Sequence, residues 1–137
     1  MLRVVVDVNV YVSAHLSPEG PAFQVLKAID AKVIRLVASP DLVTEIDEVL
    51  HRQKFHALIE KHRADKTVID IRRTAEMHYP DEYPTPITRD ADDDYLVHLA
   101  RTAKVDYLIS GDRDLLEAGV DDVSVIAPGV FVREILR

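Results

Sequence analysis

The chain has 137 residues, of which 47% are hydrophobic and 30% charged, a composition typical of one globular domain. It contains no cysteine, which excludes disulfide bonds, zinc–thiolate sites and cysteine nucleophiles. The net charge of −7 argues against a basic nucleic-acid-binding face, although bound divalent cations could reverse the local sign. No apolar run is long enough to span a membrane, and no signal-like segment precedes the first predicted strand. We therefore expect a single cytoplasmic domain over residues 1–137, without membrane contact.

Four short apolar runs, separated by helical patterns, predict a parallel β-sheet. The runs cover residues 2–6, 33–37, 107–110 and 123–126. Strands that alternate with helices are typical of a three-layer α/β/α fold with a central parallel sheet. Asp7 directly follows the first run, at the carboxyl end of its strand, where ligands bind in open α/β sheets. An aspartate there could instead only cap the following helical turn, and both roles stay open.

Amphipathic helices are predicted over residues 22–31, 40–50 and 64–77. Ser39 and Pro40 are the expected N-cap and first residue of the second helix. Glu45 lies about one turn inside that helix, beside its apolar stripe and near the predicted strand ends. It is a candidate site residue, although a single glutamate on a helix is more often a solvated acid beside the stripe.

An acidic stretch at residues 89–94, RDADDD, directly precedes an apolar helical pattern. It could simply favour a helix N-terminus, or it could bind a metal ion, since clustered carboxylates repel one another. If the helix begins near Asp92, Asp93 lies on the side of the apolar stripe, whereas Asp94 faces solvent. The stripe comprises Leu96, Val97, Leu99, Ala100 and Ala103. A carboxylate on an inward face needs a partner, so Asp93 is the candidate ligand.

Asp112 repeats the arrangement of Asp7, because it too follows a predicted strand. The ends of parallel strands share one edge, so these carboxylates should converge, with Asp93 and Glu45 arriving from helices. Converging carboxylates cannot all stay ionised without compensation. Oxygen ligands with open positions suit Mg²⁺ or Mn²⁺, which implies metal-assisted attack of water on a phosphodiester.

The chain resembles the PIN-domain family in four segments that occur in order. They are VDVNVYVS at residues 6–13, SPDLVTEI at 39–46, DADDDYLV at 90–97 and ISGDRDLL at 109–116. More narrowly, these segments are similar to the VapC-like branch, the toxin components of toxin–antitoxin systems. The resemblance covers nearly the whole chain. Val8 and Ser110 depart from the hydroxyl residue and the threonine that are usual there, but neither change removes a ligand.

The resemblance implies a PIN-like fold and a metal-dependent endoribonuclease that cleaves single-stranded RNA with a metal-activated water. The acids that it aligns with the Mg²⁺ or Mn²⁺ site are Asp7, Glu45, Asp93 and Asp112, and Asp114 matches a further acidic position. It also implies an RNA substrate, a homodimer and a cognate antitoxin protein.

Other residues near these segments could support the site. Asn9 would orient a ligand or a water molecule, and Ser110 could hydrogen-bond a carboxylate. Arg113 and Arg89 could hold RNA phosphates, although a solvated surface charge is the more common role of either.

Two other functions fit parts of the pattern. A phosphohydrolase or phospho-acceptor domain also has aspartates at strand ends, but it needs a lysine after a strand, and Lys104 precedes one. A catalytically inert PIN-like module that binds RNA or a peptide is the main alternative to a ribonuclease. The presence of all four acids argues against inertness.

Overall fold

The computed structural model describes residues 1–79, 94–117 and 122–136. Within those ranges the strands are β1 (Arg3–Val6), β2 (Arg35–Ala38), β3 (Glu76–Met77), β4 (Tyr107–Ile109) and β5 (Val125–Ile126). The helices are α1 (Val8–Leu16), α2 (Pro21–Asp30), α3 (Pro40–Leu50), α4 (Lys61–Thr74), α5 (Asp94–Ala103), α6 (Arg113–Glu117) and α7 (Pro128–Glu134). A short 3₁₀ turn, Gln53–Phe55, lies between α3 and α4.

The strands form one parallel sheet in the order β3-β2-β1-β4-β5. From β1 the chain continues to β2 and β3 on one side and then crosses to β4 and β5 on the other. Because crossovers between parallel strands are right-handed, α1 to α4 cover one face and α5 covers the other. Helix α5 packs there on β1 and β4. This arrangement confirms the predicted three-layer α/β/α fold with a central parallel sheet.

The hydrophobic core lies on both faces of the sheet. Val4, Val5 and Val6 of β1 are fully buried, as expected for a central strand with helices on both faces. The predicted apolar stripe of α5 is buried as well, at Leu96, Val97, Leu99, Ala100 and Ala103. The sequence prediction of this helix face is therefore confirmed. In the part of the chain that the structure describes, no helix is both long and apolar enough to cross a membrane.

Helix α3 begins as the sequence predicted. Ser39 is its N-cap, Pro40 is its first residue, and the Ser39 Oγ accepts a hydrogen bond from Leu42 N–H at 3.3 Å. The buried residues of the helix are Leu42, Val43, Ile46, Val49 and Leu50. With that stripe against the core, Glu45 lies at the border between core and solvent, half-buried.

The predicted helix over residues 64–77 was wrong at its C-terminal end. Helix α4 ends at Thr74 because Ala75 is extended (φ −69°, ψ 146°), and Glu76–Met77 then pair with β2 as strand β3. A two-residue edge strand with half-buried side chains has no alternating pattern that could distinguish it from the end of a helix.

Helix α1 was not predicted beyond the turn that Asp7 could cap. Its buried residues are Val8, Val10, Tyr11, Ala14 and His15. These positions extend around more than one side of the helix, so the sequence lacks the single apolar stripe that marks a surface helix.

Candidate active site

Asp7 and Ser110 lie side by side at the carboxyl ends of β1 and β4. The strand order reverses between these neighbours, and ligands of open α/β sheets bind in the crevice at such a point. The Ser110 hydroxyl donates to Oδ2 of Asp7 at 2.7 Å, and the backbone N–H of Asp7 donates to Ile109 O at 2.9 Å. Both Asp7 and Ser110 are buried. The hydrogen bond expected of Ser110 is therefore present.

The sequence left open whether the Asp7 side chain only caps the following helical turn. Asp7 is the N-cap residue of α1, but its side chain makes no capping hydrogen bond. The carboxylate instead accepts the hydroxyl of Ser110, which comes from the neighbouring strand end.

The environment of Asp7 disfavours its charge. Burial raises the pKa of its carboxyl above the ordinary value, and the negative charges of Asp112 and Glu45 raise it further. The Ser110 hydroxyl and the nearby backbone N–H of Asn9 act in the opposite direction. Asp7, Asp112 and Glu45 are therefore close enough to interact electrostatically, and an ionised Asp7 needs a positive partner.

Asp112 reaches the site from the loop between β4 and α6. Its backbone N–H donates to the Ser110 Oγ at 3.0 Å, so that the serine hydroxyl bridges Asp112 and Asp7. Oδ1 of Asp112 accepts the backbone N–H of Asp114 at 2.8 Å, at the start of α6. The half-buried carboxylate is thus held by its own loop.

Glu45 reaches the site from α3. Its Oε2 accepts a hydrogen bond from the Tyr95 hydroxyl on α5. Asp47, on the other flank of α3, belongs to a different cluster, because its Oδ1 lies 2.9 Å from His51 Nδ1 and its Oδ2 lies 3.9 Å from Arg72.

Asp7, Asp112 and Glu45 share one feature. In each carboxylate, one oxygen accepts a hydrogen bond from the protein. In Asp112 and Glu45, no donor in the described ranges hydrogen-bonds to the other oxygen. Oxygen donors of this kind suit hard divalent cations such as Mg²⁺ and Mn²⁺. Among residues 1–79, 94–117 and 122–136, however, no three acids or histidines form a group that could hold a metal ion. Asp93, the remaining predicted ligand, lies outside those residues.

A family model for the PIN domain matches residues 3–114, a range that contains Asp7, Glu45 and Asp112. The chain belongs to the PIN domain family. The family resemblance that the four sequence segments carried is therefore confirmed. No curated protein matches the chain.

Two solved structures are similar to this PIN domain in fold. The crystal structure of PAE2754 from Pyrobaculum aerophilum has a TM-score of 0.63 and 15% sequence identity, and the match covers 98% of this chain and 96% of that one. The crystal structure of VapBC2 from Rickettsia felis, bound to a DNA fragment from their promoter, has a TM-score of 0.57 and 12% identity. That match covers 92% of this chain and 98% of the other.

The remaining predicted site residues of the PIN domain lie near Asp7 and Asp112 or outside the described ranges. Asn9 is exposed, two positions after Asp7, and Asp114 is half-buried in α6. The Arg113 side chain is 87% exposed and its guanidinium lies 3.3 Å from Glu117. Arg89 lies outside the described residues.

Tyr95 of this PIN domain was not predicted as a site residue. It lies directly before the buried stripe of α5 and is half-buried, yet its hydroxyl contacts Glu45, which is 50 residues away in the sequence. Its position next to the acidic stretch was the only available signal, and that signal does not identify Glu45 as the partner.

Proposed function

We propose that this PIN domain is a metal-dependent endoribonuclease that cleaves single-stranded RNA. PIN domains are generally nucleases, which supports the reaction class. The observation that carries the proposal is the bridge from Asp7 through Ser110 to Asp112, with Glu45 near enough to raise the pKa of Asp7. Acids that converge at a ligand-binding crevice need a positive charge nearby if they are to stay ionised. An RNA phosphate would add negative charge, so a bound cation is needed to compensate for both.

The proposed ligands of Mg²⁺ or Mn²⁺ are Asp7, Glu45, Asp112 and Asp93. Glu45 and Asp112 each offer a carboxylate oxygen that no described donor occupies, and Asp93 would join Asp7 and these two from the stretch before α5. When bound, the ion would activate a water molecule and offset the negative charge that develops on the phosphodiester.

The other side chains would hold the acids and the RNA. Ser110 keeps one oxygen of Asp7 engaged. Asn9, exposed beside Asp7, would orient a water molecule or the RNA. Arg113 would exchange its exposed ion pair with Glu117 for an RNA phosphate, and Arg89 is proposed for the same task. Asp114 supports Asp112 through its backbone N–H.

We also propose that the chain is the toxin of a toxin–antitoxin pair, acting in the cytoplasm as a homodimer that a cognate antitoxin protein inhibits. The similarity in fold to the Rickettsia felis VapBC2 supports this role. Expression of the chain should then arrest the growth of a bacterial host, and expression of the Asp7→Asn variant should not.

The alternative function is an inert PIN-like module that binds RNA or a peptide without cleavage. The described residues alone contain no group of three acids or histidines able to hold a metal ion, and Asp93, the remaining proposed ligand, lies outside them. The two functions differ in whether bound RNA is cut.

Cleavage of a labelled single-stranded RNA with Mn²⁺, and with EDTA in its place, tests the proposal. Asp7→Asn and Glu45→Gln should each lower the rate by more than about 100-fold, because loss of a ligand should exceed the cost of losing a residue that only supports one. Glu48→Gln is the matched control, because Glu48 is an exposed acid on the same helix as Glu45. Tight RNA binding without cleavage would favour the inert module, and undiminished cleavage by both variants would exclude this mechanism.

A further inference from the structure

We infer that Tyr95 is a positioning residue, which fixes the Glu45 carboxylate so that one chosen oxygen faces the metal ion; the inference rests on the proposed nuclease function. The Tyr95 hydroxyl donates to Oε2 of Glu45. Oε1 therefore stays available, and no described donor hydrogen-bonds to it.

The fold explains why these two residues meet. Each helix that connects two parallel strands begins near the carboxyl ends of the strands and runs back to the start of the next strand. All such helices therefore begin at the same edge of the sheet. Glu45 is the middle residue of α3, which follows β2, and Tyr95 is the second residue of α5, which leads to β4. Helices α3 and α5 cover opposite faces of the sheet, so the hydrogen bond joins them over the edge where Asp7 and Ser110 lie.

The chemistry of the pair suits a positioning role. A glutamate has three rotatable side-chain bonds, and an unrestrained carboxylate near a metal ion must lose that freedom when it binds. The tyrosine has a stiff, half-buried ring that packs against the core, so its hydroxyl is presented from a fixed place. A phenol that donates to an ionised carboxylate makes a strong, charge-assisted bond. Glu45 is thereby held in one orientation before the ion arrives.

A Tyr95→Phe substitution isolates the hydroxyl, because it keeps the ring and its packing. We expect a 10- to 100-fold weaker affinity for Mn²⁺, about the cost of removing a residue that supports a metal ligand. RNA cleavage should fall by a similar factor at subsaturating Mn²⁺ and recover in part at high Mn²⁺. Tyr107→Phe is the matched control: the Tyr107 ring packs edge-to-face on Phe131 at 5.7 Å, and its hydroxyl makes no hydrogen bond in the described structure. It should differ from the wild type by less than about twofold.

A double-mutant cycle on Mn²⁺ affinity, measured by calorimetry, separates positioning from a general structural effect. If Tyr95 acts through Glu45, then adding Tyr95→Phe to the Glu45→Gln variant should weaken Mn²⁺ binding by less than about twofold. An equal loss in both backgrounds would overturn the inference, and so would a Tyr95→Phe variant that loses melting temperature but keeps its Mn²⁺ affinity.

The outcomes separate this inference from the proposed function. A wild-type protein that binds Mn²⁺ but does not cut RNA would contradict the nuclease proposal, while the cycle on Mn²⁺ affinity would still decide the role of Tyr95. A wild-type protein that cuts RNA, beside a Tyr95→Phe variant with the same Mn²⁺ affinity and rate, would contradict only the positioning role. Absence of both Mn²⁺ binding and cleavage in the wild type would contradict both.

Discussion

The Ser110 hydroxyl donates a 2.7 Å hydrogen bond to Oδ2 of Asp7, across a separation of 103 residues in the sequence. The same Ser110 oxygen accepts the backbone N–H of Asp112 at 3.0 Å. One hydroxyl thus ties the carboxyl ends of β1 and β4 together. Because Ser110 and Asp7 are buried, water cannot easily replace this hydroxyl, and the stability of the fold depends on the same contact as the geometry of the proposed site.

The Ser110→Ala variant should be less stable than the wild type by about 1–3 kcal/mol, because the buried carboxylate of Asp7 and the N–H of Asp112 both lose a partner. Urea unfolding at pH 7 measures this difference. Ser124→Ala is the control, since Ser124 is exposed and its side chain makes no hydrogen bond in the described structure. Equal stability of the two variants would mean that the Ser110 hydroxyl does not contribute as the structure indicates.

Asp7→Asn should raise the melting temperature of the metal-free protein at pH 7, although it should abolish RNA cleavage. Burial, followed by the charges of Asp112 and Glu45, raises the pKa of Asp7, so folding disfavours its ionised form. A carboxyl with a raised folded-state pKa contributes stability below its unfolded pKa and loses it as the pH rises through the folded value. The neutral amide removes that loss.

Calorimetry in EDTA between pH 4 and pH 8 tests the prediction for Asp7, and the advantage of the variant should grow with pH. Asp41→Asn, at an exposed acid in the first turn of α3, should show no such gain. A variant of Asp7 that is less stable than the wild type throughout this range would show that the carboxylate is well accommodated without a metal ion.

Much of the fold could be predicted because its signals are local. The apolar runs of β1, β2 and β4 and the apolar stripe of α5 each lie within one short segment of the sequence. The pattern of apolar residues in each segment therefore predicts which of its side chains are buried. The prediction that Asp7 and Asp112 converge needed one topological rule, that the ends of neighbouring parallel strands share an edge. No knowledge of side-chain orientation was needed for that step. In the structure the Ser110 hydroxyl bridges the two residues.

The rest could not be predicted because it depends on distant contacts. Strand β3 exists only because Glu76–Met77 pair with β2, and two residues carry no period of their own. The contact between Tyr95 and Glu45 requires two helices to begin above the same sheet edge, and the sequence does not indicate which of their residues meet.

His51 should make the stability of the protein depend on pH. Its Nδ1 lies 2.7 Å from the carbonyl oxygen of Asp47, and its Nε2 lies 2.6 Å from Oδ1 of Asp65, so the ring joins α3 to α4. The hydrogen bond to the Asp47 carbonyl, together with that to Asp65, raises the pKa of His51 above its ordinary value. The stabilisation is therefore fully present below the unfolded pKa and is lost as the pH rises through the raised folded value.

A His51→Gln substitution should cost about 0.5–1 kcal/mol more at pH 5.5 than at pH 9, a magnitude set by partial exposure of the pair. Urea unfolding at both pH values measures this, with His62→Gln as the control, because His62 is exposed and makes no ion pair in the described structure. The same cost of His51→Gln at both pH values would contradict a charged role for this ring.

Glu76 should show the opposite dependence on pH, because it is held by cations. Its carboxylate pairs with Arg3 and lies 2.6 Å from His78 Nε2, and these two partners, Arg3 first, lower its pKa to about 2. Because the pKa of Glu76 is lowered in the folded protein, its ion pairs stabilise the fold fully above the pKa of 4.5 in the unfolded chain. This stabilisation disappears as the pH falls through the folded pKa of about 2. Glu76→Gln should therefore cost about 1–3 kcal/mol at pH 7 and almost nothing at pH 2. Urea unfolding at both pH values measures the cost, and Glu48→Gln, at an exposed acid without an ion pair in the described structure, should have little effect at either pH.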